Sequence, residues 1–165
     1  MNSFSRLANF FICDRMENGD MKIKFTQKQI NIFKRLGIEI IYLFGSQAQG
    51  KTHSLSDVDI GIVFEKPEKY KDKTMDPYLK LYDIFADVLP KSYLRQRFRL
   101  REHEFDIVFL QFAPISLQFN AIKNGKVLYE KSEEARFAYQ EMIMKRQADL
   151  QYFYDLRYKA ILERI

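Results

Sequence analysis

The stretch Leu43-Phe44-Gly45-Ser46-Gln47-Ala48-Gln49-Gly50-Lys51-Thr52-His53-Ser54-Leu55-Ser56-Asp57-Val58-Asp59-Ile60 decides the fold. Ahead of its turn, Ile38 to Phe44 is a short apolar run that reads as a buried strand. Gly45-Ser46 breaks the run, and Gly50 marks a second turn. Behind it, Asp57-Val58-Asp59-Ile60-Gly61-Ile62-Val63-Phe64 reads as another strand with two acids at its mouth. Side chains at i and i+2 share one strand face. Asp57 and Asp59 therefore present two carboxylates side by side, while Val58 and Ile60 turn to the other face.

Two close carboxylates with no cation beside them in sequence repel each other, and burying them unpaired is costly. A divalent metal, a shared proton or plain solvent exposure each resolves the conflict. Oxygen ligands favour magnesium, which sits on one or two carboxylates and completes its shell with substrate phosphates. The Gly-Ser turn supplies the other half of such a site. Glycine lets the backbone approach a phosphate, and amides at a helix start together with a serine hydroxyl hold the anion.

Gly45-Ser46, ten residues, then Asp57-Val58-Asp59 resembles the signature of the DNA polymerase β-like nucleotidyltransferase superfamily. Within it the chain is most similar to the minimal nucleotidyltransferases, the MntA-like antitoxins paired with HEPN-domain toxins. That family carries a third acid on a later strand, and Glu104-Phe105-Asp106-Ile107-Val108-Phe109-Leu110 has the right form for it. The resemblance implies an α+β fold of α/β type: a mixed sheet flanked by helices, with a long C-terminal helix. It implies Asp57, Asp59 and Asp106 as catalytic, metal-binding residues for two Mg2+ ions, and Gly45 and Ser46 on the phosphates of ATP. It also implies an activity, the transfer of AMP from ATP to a tyrosine of a HEPN RNase toxin encoded by a neighbouring gene. Nothing in these residues sets adenine apart from other bases, so ATP is inherited from the family. Two other readings stay open: a small-molecule (antibiotic) nucleotidyltransferase, and a non-catalytic antitoxin that acts by binding alone.

With 165 residues and 47% apolar content, the chain is long enough for one domain with a real core. We divide it into an N-terminal extension at 1–21, a nucleotidyltransferase domain at 22–130 and a C-terminal helix at 131–165. That helix packs on the domain and leaves faces for a partner. The net charge of +5 is a mild excess of the kind that solubility alone explains. Nucleic acid is accordingly not expected as the direct substrate. A single cysteine, Cys13, permits no internal disulfide, and a reducing cytoplasm is the expected compartment. The apolar patch from Leu7 to Cys13 is too short to span a bilayer, and no membrane segment is expected. No zinc spacing, Walker A motif or Rossmann fingerprint is present.

Thr26-Gln27-Lys28-Gln29 has the form of a capping box opening a helix with Ile30, Phe33 and Leu36 on one face, closed by Gly37. Asp76-Pro77 reads as an N-cap and first-turn proline, followed by a helix from Tyr78 to Leu89 with Leu81, Phe85 and Val88 inward. Arg97, Arg99 and Arg101 alternate with Phe98 and Leu100, which predicts a strand paired as a hairpin with residues 104–111. Pro114 to Asn124 is a helix ended by Gly125, and Val127-Leu128-Tyr129 is an edge strand. Ser132 caps a helix running to Arg164, with Glu133 and Glu134 where the helix dipole favours them. Its apolar residues spread over more than one face, as in a helix that packs on two things. His53 and His103 are read as solvated loop residues.

Overall fold

A computed structural model describes residues 23–45, 58–89 and 105–163. The predicted roles of Ser46, His53, Asp57, His103 and Arg164, the Arg97–Arg101 strand, Cys13 and the 1–21 extension lie outside the described residues.

The expected mixed sheet is present. Its strands are β1 (Ile38–Phe44), β2 (Val58–Phe64), β3 (Phe105–Phe109) and β4 (Lys126–Glu130). They lie in the order β3-β2-β1-β4, with β1 antiparallel to both β2 and β4 and β2 parallel to β3. Both faces of the central pair are buried, which is why each reads as a continuous apolar run rather than an alternating one. Four α-helices cover the sheet: α1 (Gln27–Leu36), α2 (Met75–Val88), α3 (Ile115–Asn124) and α4 (Glu133–Leu162).

The pleat sorts the core into two layers. Ile41, Leu43, Val58, Ile60 and Ile62 point to one side, where Phe33 of α1 and Leu81, Ile84 and Phe85 of α2 close over them. Ile40, Tyr42, Phe44 and Val63 point to the other, against Ala121 of α3 and Tyr139 and Ile143 of α4. Asp59 lies between Val58 and Ile60 in β2, so it belongs to this second face.

Local chemistry sets most boundaries. The Thr26 hydroxyl accepts from the Gln29 amide, and the Gln29 side chain accepts from the Thr26 amide, completing the capping box. Gly37 closes α1 at φ 65°. Ile32 joins Phe33 and Leu36 on the packed face. Ser132 caps α4 by accepting from the Ala135 amide. The second helix departs from expectation, because it begins at Met75 and is capped at Thr74, with Asp76 and Pro77 inside its first turn. The first four amides of a helix have no intrahelical acceptor, so a proline fits at any of the first few positions and does not single out one start. Asp76 instead pairs with Lys80 one turn on, at 2.7 Å. The third strand stops at Phe109, and a 3-10 turn from Leu110 to Phe112 follows.

Candidate active site

Of the predicted site residues, the three that are described, Gly45, Asp59 and Asp106, fall at one end of the sheet. The β1–β2 pairing sets Phe44 opposite Asp59, and the parallel β2–β3 pairing sets Asp59 opposite Asp106. Residues paired across a ladder point to the same face, and adjacent strands run about 4.8 Å apart. Two carboxylates from segments far apart in sequence are thus neighbours on one face at one strand end. Asp59 is half-buried and Asp106 exposed.

Gly45 follows Phe44 directly at φ 83°, a conformation glycine adopts at little cost and other residues resist. Its missing side chain also makes room. A Cβ at this position would sit 2.0 Å from the Asp59 Oδ2 atom. The turn that ends β1 and the acid that opens β2 therefore fit each other closely. The glycine predicted to lie under a phosphate also lies under a carboxylate.

Beneath the acids, on the same face, lies a polar network that sequence reasoning did not single out. The Tyr139 hydroxyl donates to Gln118 Oε1 at 2.9 Å, and Gln118 Nε2 donates to the Ala113 carbonyl at 2.7 Å. Gln140 Nε2 donates to the Tyr42 hydroxyl at 3.4 Å. Burial pushes Tyr42 up to about 12 and raises Tyr139 as well, so both phenols stay neutral in any physiological buffer. Their hydroxyls tie α4 to α3 and to β1. The signal available in sequence is weak: a glutamine within an otherwise apolar helix face at Gln118.

The donor set suits a hard divalent cation. Asp59 and Asp106 offer carboxylate oxygens on one face, which is what magnesium takes from a protein, and a positive-φ glycine leaves backbone close by for a phosphate. Among the described residues no set of three metal-ligating side chains converges, and Asp57 lies outside them.

Residues 27–134 match the family described as polymerase beta nucleotidyltransferase. The chain is 27% identical over 107 residues to the protein adenylyltransferase MntA of Aphanizomenon flos-aquae, covering 65% of this chain and 67% of that one. Among solved structures it resembles a chain of a toxin–antitoxin crystallised with AMP-PNP, with a TM-score of 0.56 and 18% identity over 82% of this chain and 96% of the other. It also resembles a chain of the tri-AMPylated HEPN toxin–MNT antitoxin complex of Shewanella oneidensis, with a TM-score of 0.53 and 15% identity over 82% and 93%. At such identities these last two similarities speak for the fold alone.

Proposed function

The chain belongs to the polymerase beta nucleotidyltransferase family, and from that premise we propose that it is an antitoxin that transfers AMP from ATP to a tyrosine hydroxyl of a HEPN-domain RNase toxin. The observation that carries the reading is the pairing of Asp59 with Asp106 across β2 and β3, beside the positive-φ Gly45. The identity and extent of the match to an adenylyltransferase favour AMP as the transferred group. That relative's name, a protein adenylyltransferase, favours a protein as the acceptor, and a HEPN toxin is the acceptor that the family resemblance implies.

In this reaction the acceptor oxygen forms a bond to the α-phosphorus, the bond to the β-phosphate oxygen breaks, and pyrophosphate leaves. Asp57, Asp59 and Asp106 would hold two magnesium ions, which when bound stabilise charge on the attacking and leaving oxygens. Gly45 and Ser46 would hold the β- and γ-phosphates through backbone amides and a hydroxyl. Asp106 is exposed and lies on the outermost strand of the described sheet, where a hydroxyl carried by a bulky protein can reach it. Its carboxylate would accept the proton that the hydroxyl loses. Gly45 leaves room for the Asp59 carboxylate, which a Cβ there would meet at 2.0 Å. What the chain contributes is mainly position and charge.

The test is incubation of the protein with ATP labelled at the α-phosphate and the HEPN-domain protein encoded beside its gene. Label should appear on that protein and fall at least about 1000-fold with Asp59→Asn or Asp106→Asn, a barrier increase of about 4 kcal/mol, with the melting temperature nearly unchanged. Label on an added aminoglycoside and never on protein would overturn the reading. So would an Asp57→Asn/Asp59→Asn variant that still rescues cells from the toxin.

A further inference from the structure

The last turns of α4 are too apolar and too bare for a helix that ends in water. The helix is 30 residues long, about 45 Å, and only Tyr139 and Ile143 are fully buried. Every described residue from Gln151 onward is exposed. That bare segment carries Tyr152, Phe153, Tyr154, Leu156, Tyr158 and Ile161, each between 45% and 66% exposed. They surround the helix rather than forming a stripe, as in a helix that is buried on several sides.

The register of the sheet fixes where this segment goes. Strand β4 starts opposite Leu43, near the acids, and ends opposite Ile40, at the far end of the sheet. The chain then reverses at Ser132, and Arg136 of α4 pairs with Glu130 at that far end. Gln140 reaches Tyr42, and Tyr139 and Ile143 pack in the layer that includes Phe44, the neighbour of Asp59. The helix therefore runs back toward the acids, across the face to which they point. Residues 151–162 continue about 18 Å further along that line.

We propose that this overhang is the docking surface for the protein that receives the nucleotide, gripped from more than one side by an apolar groove of that partner. The proposal rests on the reading above. Area and place both argue for this occupant. At roughly 200 Å² per large side chain, the six residues leave on the order of 700 Å² uncovered, close to the roughly 800 Å² that a standard interface takes from each partner. The charges described from Gln151 onward, Asp155 and Glu163 against Arg157 and Lys159, cancel, so the contact is driven by apolar burial. An acceptor held on α4 lies on the side of the sheet to which Asp59 and Asp106 point, whereas a surface beyond α1 or α2 would hold it behind the sheet.

The experiment compares the full-length chain with Phe153→Ser/Tyr158→Ser, with an independent variant, Tyr154→Arg, and with Leu79→Ser, a control at an exposed apolar position on α2. The probe is the HEPN-domain protein encoded beside the gene, and binding is read by interferometry without ATP, separately from transfer. Both α4 variants should raise Kd and the KM for that protein at least tenfold, leave the KM for ATP within about twofold, and melt like the unaltered chain. Leu79→Ser should change none of these. Unaltered Kd in the α4 variants, with transfer intact, overturns the docking surface and leaves the enzyme reading standing. So does a chain that sediments as a dimer and becomes monomeric in the variants without change in acceptor binding, which would assign the surface to a second copy. An unaltered chain that neither binds nor labels the HEPN-domain protein overturns both.

Discussion

The two ends of the sheet solve opposite problems. At the far end, where β1 starts and β2 and β4 finish, polar groups are stitched to one another. The Glu65 amide donates to the Gly37 carbonyl and the Lys131 amide to the Glu39 carbonyl, and Lys131 bridges to Glu65 at 2.8 Å. The Tyr70 hydroxyl donates to the Leu36 carbonyl, tying the 3-10 turn at Pro67–Tyr70 to the end of α1. Gln111 uses its side-chain amide as a strand would use its backbone, accepting from the Phe64 amide and donating to the Phe64 carbonyl. At the other end two carboxylates are set side by side on one face and a glycine is held at positive φ against one of them. One end closes the fold, and the other is shaped for a ligand.

The sharpest way to break this contrast is Gly45→Ala. Its Cβ would fall 2.0 Å from Asp59 Oδ2, and ordinary contact requires the carboxylate to retreat by more than 1 Å. A displacement of that size at a reacting group costs about 100-fold in rate. Transfer should therefore drop by about that factor, while the strain of an alanine at φ 83° costs about 1–2 kcal/mol of stability. Single-turnover rates beside thermal melts separate the two effects. A Gly45→Ala protein with full activity would mean that the fit between turn and acid has no part in the chemistry.

At the far end the balance should reverse. Gln111→Ala removes two hydrogen bonds, at 2.8 and 2.6 Å, from the backbone of Phe64, a residue only 1% exposed. Leaving such groups without partners costs about 1–3 kcal/mol. Urea unfolding should show that loss, with kcat unchanged at temperatures where the variant is folded. A variant as stable as the original would show that the amide clamp is decoration.

Legibility in the sequence follows the same division. Features with a local mark were readable: the Thr26–Gln29 box and the Ser132 cap rest on contacts within a few residues, and the two strands buried on both faces show as unbroken apolar runs. The two acids on β2 and β3 were readable as candidates, because an aspartate at the head of an apolar strand stands out. Their placement opposite each other was not, since pairing between strands more than 40 residues apart leaves no local mark; only the family resemblance supplied it. The close fit of Gly45 to Asp59 and the Gln111 clamp are also long-range, and no spacing encodes them. The start of α2 was misread for a different reason, because Asp-Pro satisfies the first turn of a helix in more than one frame. The excess of apolar residues along α4 was legible, but its direction became clear only from the order β3-β2-β1-β4 and the reversal at Ser132.

The smallest expected effect is also the most specific in its pH dependence. Lys131 and Glu65 form an exposed pair, and the hydrogen bond and charge of Lys131 hold the Glu65 carboxyl below its ordinary value of 4.5. A carboxyl lowered in the folded state stabilises it above the unfolded pKa, and that contribution disappears as pH falls through the folded value. Lys131 is raised from 10.5 by the same bond, so its share is present below that value and lost as pH rises beyond the folded one. Lys131→Ala keeps the backbone bond to Glu39 and should lower the melting temperature by no more than about 2 °C at pH 7. The difference should shrink in molar salt and vanish well below pH 4.5, where Glu65 is protonated with or without its partner. If Lys131→Ala instead cost as much as Gln111→Ala at pH 7, the far end would be held by the exposed ion pair rather than by the backbone bonds and the half-buried Gln111 amide; an effect kept in acid would assign the loss to a contact of Lys131 other than that pair.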